Sequence, residues 1–274
     1  MEKYKVQHLS VVKPKASRTF VAPHALFILC FCLLLGGTVY AADTVTVSSG
    51  VDYSTGDYGQ VDNTNILVVP FSVRYRTDAW TYKLATAYLY IEEGAGGVLI
   101  GGDFITNKTG QNNLSGMGDL IASARYRFDT MTNLDTEFNL TGKIKLATAD
   151  ETKGLGTGSN DYTVELGVYQ PLIGDVDMFG SLGYRIKGDL PQTKLNNVWL
   201  GSVGLSFPWD EDTEFGLIYD FRQATSARVP AISEVSSYWD RRIDRSWSLN
   251  TYMVFGLSDA SPNFGVGTQI SYSY

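Results

Sequence analysis

From residue 44 to the last residue, apolar and polar side chains take turns with a period of two, segment after segment. The closing stretch FGVGTQISYSY sets out the pattern. Phe264, Val266, Thr268, Ile270, Tyr272 and Tyr274 share one parity; Gly265, Gly267, Gln269, Ser271 and Ser273 share the other. Successive side chains of a β-strand point to opposite faces, so such a segment is a strand with one apolar face. The pattern recurs over 44–53, 65–76, 80–91, 118–128, 136–148, 161–170, 177–187, 196–207, 213–223, 233–242 and 245–256. That makes about twelve strands of about ten residues each. The alternation is weakest over 233–242, so counts of ten or fourteen stay open. No helical period competes with it.

The connections alternate in length. RTDA, DTMTNLD, PLIGDV, PWDED and RID are short; 54–64, 92–117, 149–160, 188–195, 224–232 and 258–263 are longer. Short turns at one end and long loops at the other are the asymmetry of an outer-membrane barrel. The expected fold is all-β: an antiparallel up-and-down transmembrane β-barrel over residues 42–274. A secreted β-sandwich or lipocalin-like barrel would also alternate. Here, however, the apolar parity carries aromatics near the strand ends: Trp80, Tyr82, Tyr88, Tyr90, Tyr126, Trp199, Phe207, Phe215, Tyr219, Phe221, Trp247, Phe255, Tyr272 and Tyr274. Such placement suits two interfacial girdles. In a bilayer every backbone group needs a partner, which only a closed ring of strands supplies.

The first 41 residues read as a signal peptide. Lys3, Lys5, Lys13, Lys15 and Arg18 form a basic region, ALFILCFCLLLGGTV is apolar, and VYAAD offers small residues for cleavage after Ala41. An N-terminal anchor is the alternative, but the run falls short of the roughly 20 apolar residues of a spanning helix. Cys30 and Cys32 lie inside the run rather than at its end, unlike a lipoprotein. Removing this segment takes away both cysteines, both histidines (His8, His24), five Lys/Arg and Glu2. What remains has 17 basic and 28 acidic side chains, net −11. Disulfide stapling is excluded, and so is the basic footprint of nucleic-acid binders.

Charged residues on the polar parity cannot face lipid, where Lys or Arg at mid-bilayer costs roughly 2–4 kcal/mol. They are therefore candidates for the lumen: Arg74, Arg76, Lys83, Arg125, Arg127, Glu137, Lys143, Lys145, Glu165, Arg185, Lys187, Glu214, Asp220 and Arg222, with Asp161 and Asp177. One reading is a hydrated pore with charge rings; the other is an ion-pair network filling a narrow barrel. The bases concentrate between Arg74 and Lys145 and the acids come later. One basic wall and one mixed wall would give a transverse field and a mild anion preference. The connection 92–116 carries Val98, Leu99, Ile100, Phe104 and Ile105. It either folds inward as a constriction or extends strands above the membrane. ADETKGLGTGSNDY (149–162) has glycines spaced like a phosphate cradle, but no helix follows, and no twelve-residue calcium loop is present. It reads as an external turn.

With no histidine after residue 41, neither a Ser-His-acid triad nor a His-based zinc site can be built. Nothing in the spacing of Glu137, Glu165 and Asp220 favours a carboxylate-pair mechanism over ion pairing. The expectation is a non-enzyme without cofactors. Its partners would be the lipid bilayer and lipopolysaccharide, a small-molecule solute, and the outer-membrane assembly machinery. Tyr272 and Tyr274 resemble the C-terminal aromatic signature which that machinery reads.

Four stretches carry a family resemblance: SGMGDLIASARYRF, TGKIKLATADETKGLGTGSNDYTVELGVYQPL, MFGSLGYRIKGD and GLSDASPNFGVGTQISYSY. Together they cover most of 116–274 and resemble the bacterial outer-membrane family of MetA-pathway phenol-degradation or "transporter" proteins. GLGTGSNDY and SDASPNFGVG are the most specific parts. The chain departs from the pattern in ending on Tyr274, where Phe is commoner, and in KLATAD, where Pro often precedes Thr. The resemblance implies an outer-membrane transporter of a small organic or aromatic solute. A non-conducting structural or surface-interaction barrel, working through its external loops, is the alternative.

Overall fold

The computed structural model describes residues 43–58, 63–92, 98–100, 103–105, 113–128, 135–172, 174–189, 194–227 and 230–274. The expected signal peptide lies outside the described residues. The strands are β1 (Thr44–Gly56), β2 (Thr64–Arg76), β3 (Trp80–Glu92), β4 (Val98–Ile100), β5 (Asp103–Ile105), β6 (Asn113–Met117), β7 (Leu120–Phe128) and β8 (Glu137–Leu146). They continue with β9 (Asp161–Pro171), β10 (Asp177–Ile186), β11 (Val198–Asp210), β12 (Thr213–Arg222), β13 (Ile232–Arg242), β14 (Trp247–Gly256) and β15 (Phe264–Ser273).

All but β4 and β5 join one antiparallel sheet, and the sheet closes on itself. β15 pairs with β1 from Thr46 opposite Ser273 to Thr55 opposite Phe264. Tyr274 and Val45 exchange both backbone hydrogen bonds, at 3.0 and 3.1 Å. The closing segment is therefore not an edge, and the hazard of an exposed strand is removed. β6 and β7 both pair with β3, with Tyr88 opposite Met117 and Ala85 opposite Ile121. The one-residue slip between them marks a bulge at Gly118 and Asp119. Read as one bulged strand, β6 and β7 bring the ring to twelve. The stretch Asn113–Met117, expected to belong to a long loop, is thus strand.

Burial alternates in the sense opposite to that of a water-soluble protein. Along β9, Asp161, Thr163, Glu165 and Gly167 are buried, whereas Tyr162, Val164 and Leu166 are 50 %, 59 % and 51 % exposed. Polar groups face in and apolar groups face out, which is stable only if the outer solvent is lipid. Aromatics collect at both ends of the outer wall. At the turn end, Trp80 meets Tyr126 (ring centroids 4.9 Å) and Trp247 meets Tyr272 (4.9 Å). At the loop end, Tyr184 meets Trp199 (5.0 Å) and Phe255 meets Phe264 (5.4 Å). These are the two interfacial belts. Tyr274 also sits on the outer face, 6.3 Å from Tyr272.

Inside, bulky rings are accommodated by glycine. Tyr238 lies directly opposite Gly216, and Tyr252 directly opposite Gly267. A Cβ at either glycine would overlap the ring that covers it. These aromatics thus lie flat against the wall rather than across the lumen.

Candidate functional site: the lumen and its mouth

Hydrogen-bonded rows wind around a barrel, so lumenal residues from distant strands fall on one spiral. The first row runs Arg74, Lys83, Ser123, Lys143, Thr163 and Arg185. The next runs Arg76, Thr81, Arg125, Thr141, Glu165, Gly183, Leu200 and Arg222. Cations that are remote in sequence thereby become two tracks climbing from the turn end towards the loop end.

Along the tracks the charges are used in two ways. On β8 to β10 they are paired. Lys143 meets Glu165 at 3.2 Å, Lys145 meets Asp161 at 3.3 Å and Asp119 at 3.2 Å, and Lys187 meets Asp161 at 2.7 Å. The Lys187 side chain is fully buried. On β2, β3 and β7 no carboxylate comes within 4 Å of Arg74, Arg76, Lys83 or Arg125 among the described residues. Arg125 donates from Nε to Thr141 Oγ1 at 3.2 Å. At the turn-end rim, Arg127 donates to the Asp78 carbonyl at 2.7 Å. Carboxylate-paired cations and cations without a carboxylate in range thus occupy different arcs of the wall among the described residues.

Further acids line β12 and β13 and the turn-end rim of β8 and β10. Glu214 and Asp240 stand directly opposite each other on β12 and β13. Glu214 accepts from Tyr238 (2.7 Å) and Asp240 from Asn250 (2.8 Å). Glu137 opens β8 opposite Tyr169, and Asp177 opens β10 opposite Pro171. Asp220 lies opposite Glu234 higher on the wall. Asp240 is within electrostatic reach of Arg74 across the lumen. Asp240, Tyr238, Asn250 and Glu234 did not figure among the sequence-based candidates. Tyr252 also turns inward and donates to Asp52.

Towards the loop end the inner wall changes character. Ile66 and Val68 of β2, Ala87, Leu89 and Ile91 of β3, and Leu114 of β6 face inward and pack together. Three loops complete the cluster, with Tyr58 after β1, Leu155 after β8 and Ala260 after β14, and it reaches across to Ile232 of β13. Among the described residues, an apolar plug thus lies inside the loop-end mouth, beside the Lys145–Asp161–Lys187 ion pairs.

Leu155 belongs to the segment expected to be an external turn, which instead folds into the mouth. Its geometry is held locally. Asp119 accepts from the backbone N–H groups of Thr148 and Ala149, both at 3.0 Å, and Lys145 donates to Thr157 at 2.7 Å. A 3-10 turn at Glu151–Lys153 is capped by the Asp150 carboxylate and ended by Gly154 at φ 70°. Left-handed φ favours glycine there. In the 92–116 connection, Val98 pairs with Ile105 and Ile100 with Asp103, giving a separate β4–β5 hairpin. The side chains of Val98, Leu99, Ile100, Phe104 and Ile105 lie outside the described residues.

No family model and no curated protein sequence matches this chain. Solved structures do share its fold. It is similar to an outer membrane channel from Pseudomonas putida F1, with 13% identity and a TM-score of 0.62 over 86% of this chain and 97% of that one. It is also similar to the KdgM porin, with 9% identity and a TM-score of 0.51 over 83% and 99%. The shared architecture is the closed antiparallel barrel.

Proposed function

We propose that the chain is a bacterial outer-membrane channel for the passive passage of a small organic solute, and that it acts without catalysis. The observation that carries the reading is the inverted burial: a continuous apolar, aromatic-belted exterior around an interior lined by charged rows. A lumen filled only to hold the barrel together would pair its charges throughout. Here Arg74, Arg76, Lys83 and Arg125 have no carboxylate in ion-pair range among the described residues. Two solved structures with this fold are a channel and a porin. The chain would reach the membrane through its N-terminal signal and the assembly machinery, with Tyr272 and Tyr274 as the C-terminal aromatic signal.

The apolar plug supports a refinement, in which the 147–160 loop closes the loop-end mouth and must move for solute to pass. Planar-bilayer recording tests the reading. Discrete open levels are expected, rare in the unmodified barrel. Silence from a correctly folded barrel, including one with the loop loosened, would leave the structural reading in its place. Selectivity is a separate expectation. Reversal potentials in a salt gradient should favour anions mildly, and Arg125→Glu with Lys143→Glu should reverse that preference.

A further inference from the structure

Arg74 and Lys83 face each other across the β2–β3 pair and both point into the lumen. Like charges directly opposite one another destabilise a sheet, so their juxtaposition needs a compensating partner. Arg125 adds a third cation one row away. The Arg74 Nε is shielded from solvent and has no hydrogen-bond partner. The lysines of the neighbouring arc each hold a carboxylate, whereas these three cations hold none among the described residues.

Two residues further along the same strands, Ser72 and Ala85 lie opposite each other; beyond them the inner face turns apolar. Pro70 and Val68 on β2 and Ala87 on β3 are buried and inward, and Ala85 bridges the two zones. A cationic corner thus continues, past the Ser72 hydroxyl, into an apolar strip. Across the lumen, Glu214 and Asp240 present two adjacent carboxylates, which repel a ligand with a second negative charge.

We propose that this corner is a binding site for a small amphiphilic monocarboxylate. The carboxylate sits on Arg74 and Lys83 beside Arg125, and the apolar body lies along Pro70 and Ala85. Arg presents a planar fork that matches a carboxylate. The facing acids select a monoanion over a dianion. The proposal rests on the lumen being the solute path and names the chemical class of that solute.

The test is equilibrium binding of benzoate to the barrel purified in detergent, with benzyl alcohol and inorganic phosphate as controls. Saturable benzoate binding is expected, with both controls at least tenfold weaker. Arg74→Gln with Lys83→Gln should weaken benzoate at least tenfold while benzyl alcohol stays unchanged. Folding of each variant is checked by heat-modifiable gel mobility, and Arg74→Gln alone serves if the double variant does not fold. Benzoate binding that survives the substitutions, or is matched by either control, overturns the proposal. The outcomes separate from those of the channel reading. Current without benzoate binding sinks the site and leaves the channel, and binding without current does the reverse.

Discussion

Asp161 joins two lysines from different elements, Lys145 at 3.3 Å and Lys187 at 2.7 Å, and also accepts from the Gly188 backbone N–H at 3.1 Å. Asp161→Asn keeps the shape and removes the charge that both lysines share. Removing one partner of a buried ion pair costs roughly 3–5 kcal/mol, so the urea midpoint of the micellar barrel should fall markedly. Gly216→Ala probes the inner aromatics. The new methyl must displace the Tyr238 ring and with it the hydrogen bond to Glu214, for a loss of roughly 1–3 kcal/mol by overpacking. Unchanged unfolding would show that the ring is not held against that wall. The inward direction of mid-strand charges such as Lys143 and Glu165 was readable, because a charge at mid-strand has only one tolerable direction, whereas Arg127 lies exposed at the turn-end rim. Tyr238 and Tyr252 were not readable as inward, because an aromatic in a barrel strand reads as lipid-facing. Their signal is the glycine directly opposite each, visible only once the register is known.

At the scale of elements, the twelve strands were legible because lipid on one side and a polar lumen on the other enforce a strict period of two. The plug was hidden for the converse reason. In YLYI (88–91) both parities are apolar, so alternation cannot say that Leu89 and Ile91 point inward while Tyr88 and Tyr90 point out. Leu155 is a lone apolar residue in a glycine-rich loop, and only the neighbouring wall shows where it goes. Leu155→Ser should loosen the mouth and raise the open probability in planar bilayers, whereas deleting Gly96–Asn113 raises conductance only if that connection also constricts. The β13–β14 turn gives a pH prediction. The backbone N–H groups of Ser246 and Trp247 hold the Asp244 carboxylate below the usual carboxylate range. A depressed acid stabilises the folded turn above its unfolded pKa and loses that contribution as pH falls through its folded value. The protection of the 243–247 amides, measured relative to their intrinsic exchange rates, should therefore fall in acid, and Asp244→Ala should abolish that dependence.

For the whole molecule, the two chemically distinct surfaces are set by one sequence. The outer belts fix its depth in a bilayer, and the inner rows divide the lumen into a paired arc, an acidic arc and the cationic corner. Apart from the apolar cluster at the mouth, each strand is held chiefly by hydrogen bonds to its two neighbours. The exchange of hydrogen bonds between Val45 and Tyr274 has a topological consequence. The earliest and latest strands must meet before every strand has both its neighbours, and this closure is the contact of greatest sequence separation. Because those residues are already adjacent at the turn end, the finished ring itself has no privileged first strand. A circular permutant that joins residue 274 to residue 44 by a short linker, and opens the chain between Glu211 and Asp212, should therefore refold in detergent micelles, where no assembly machinery reads a C-terminal signal, to the same cylinder with the same lumenal order.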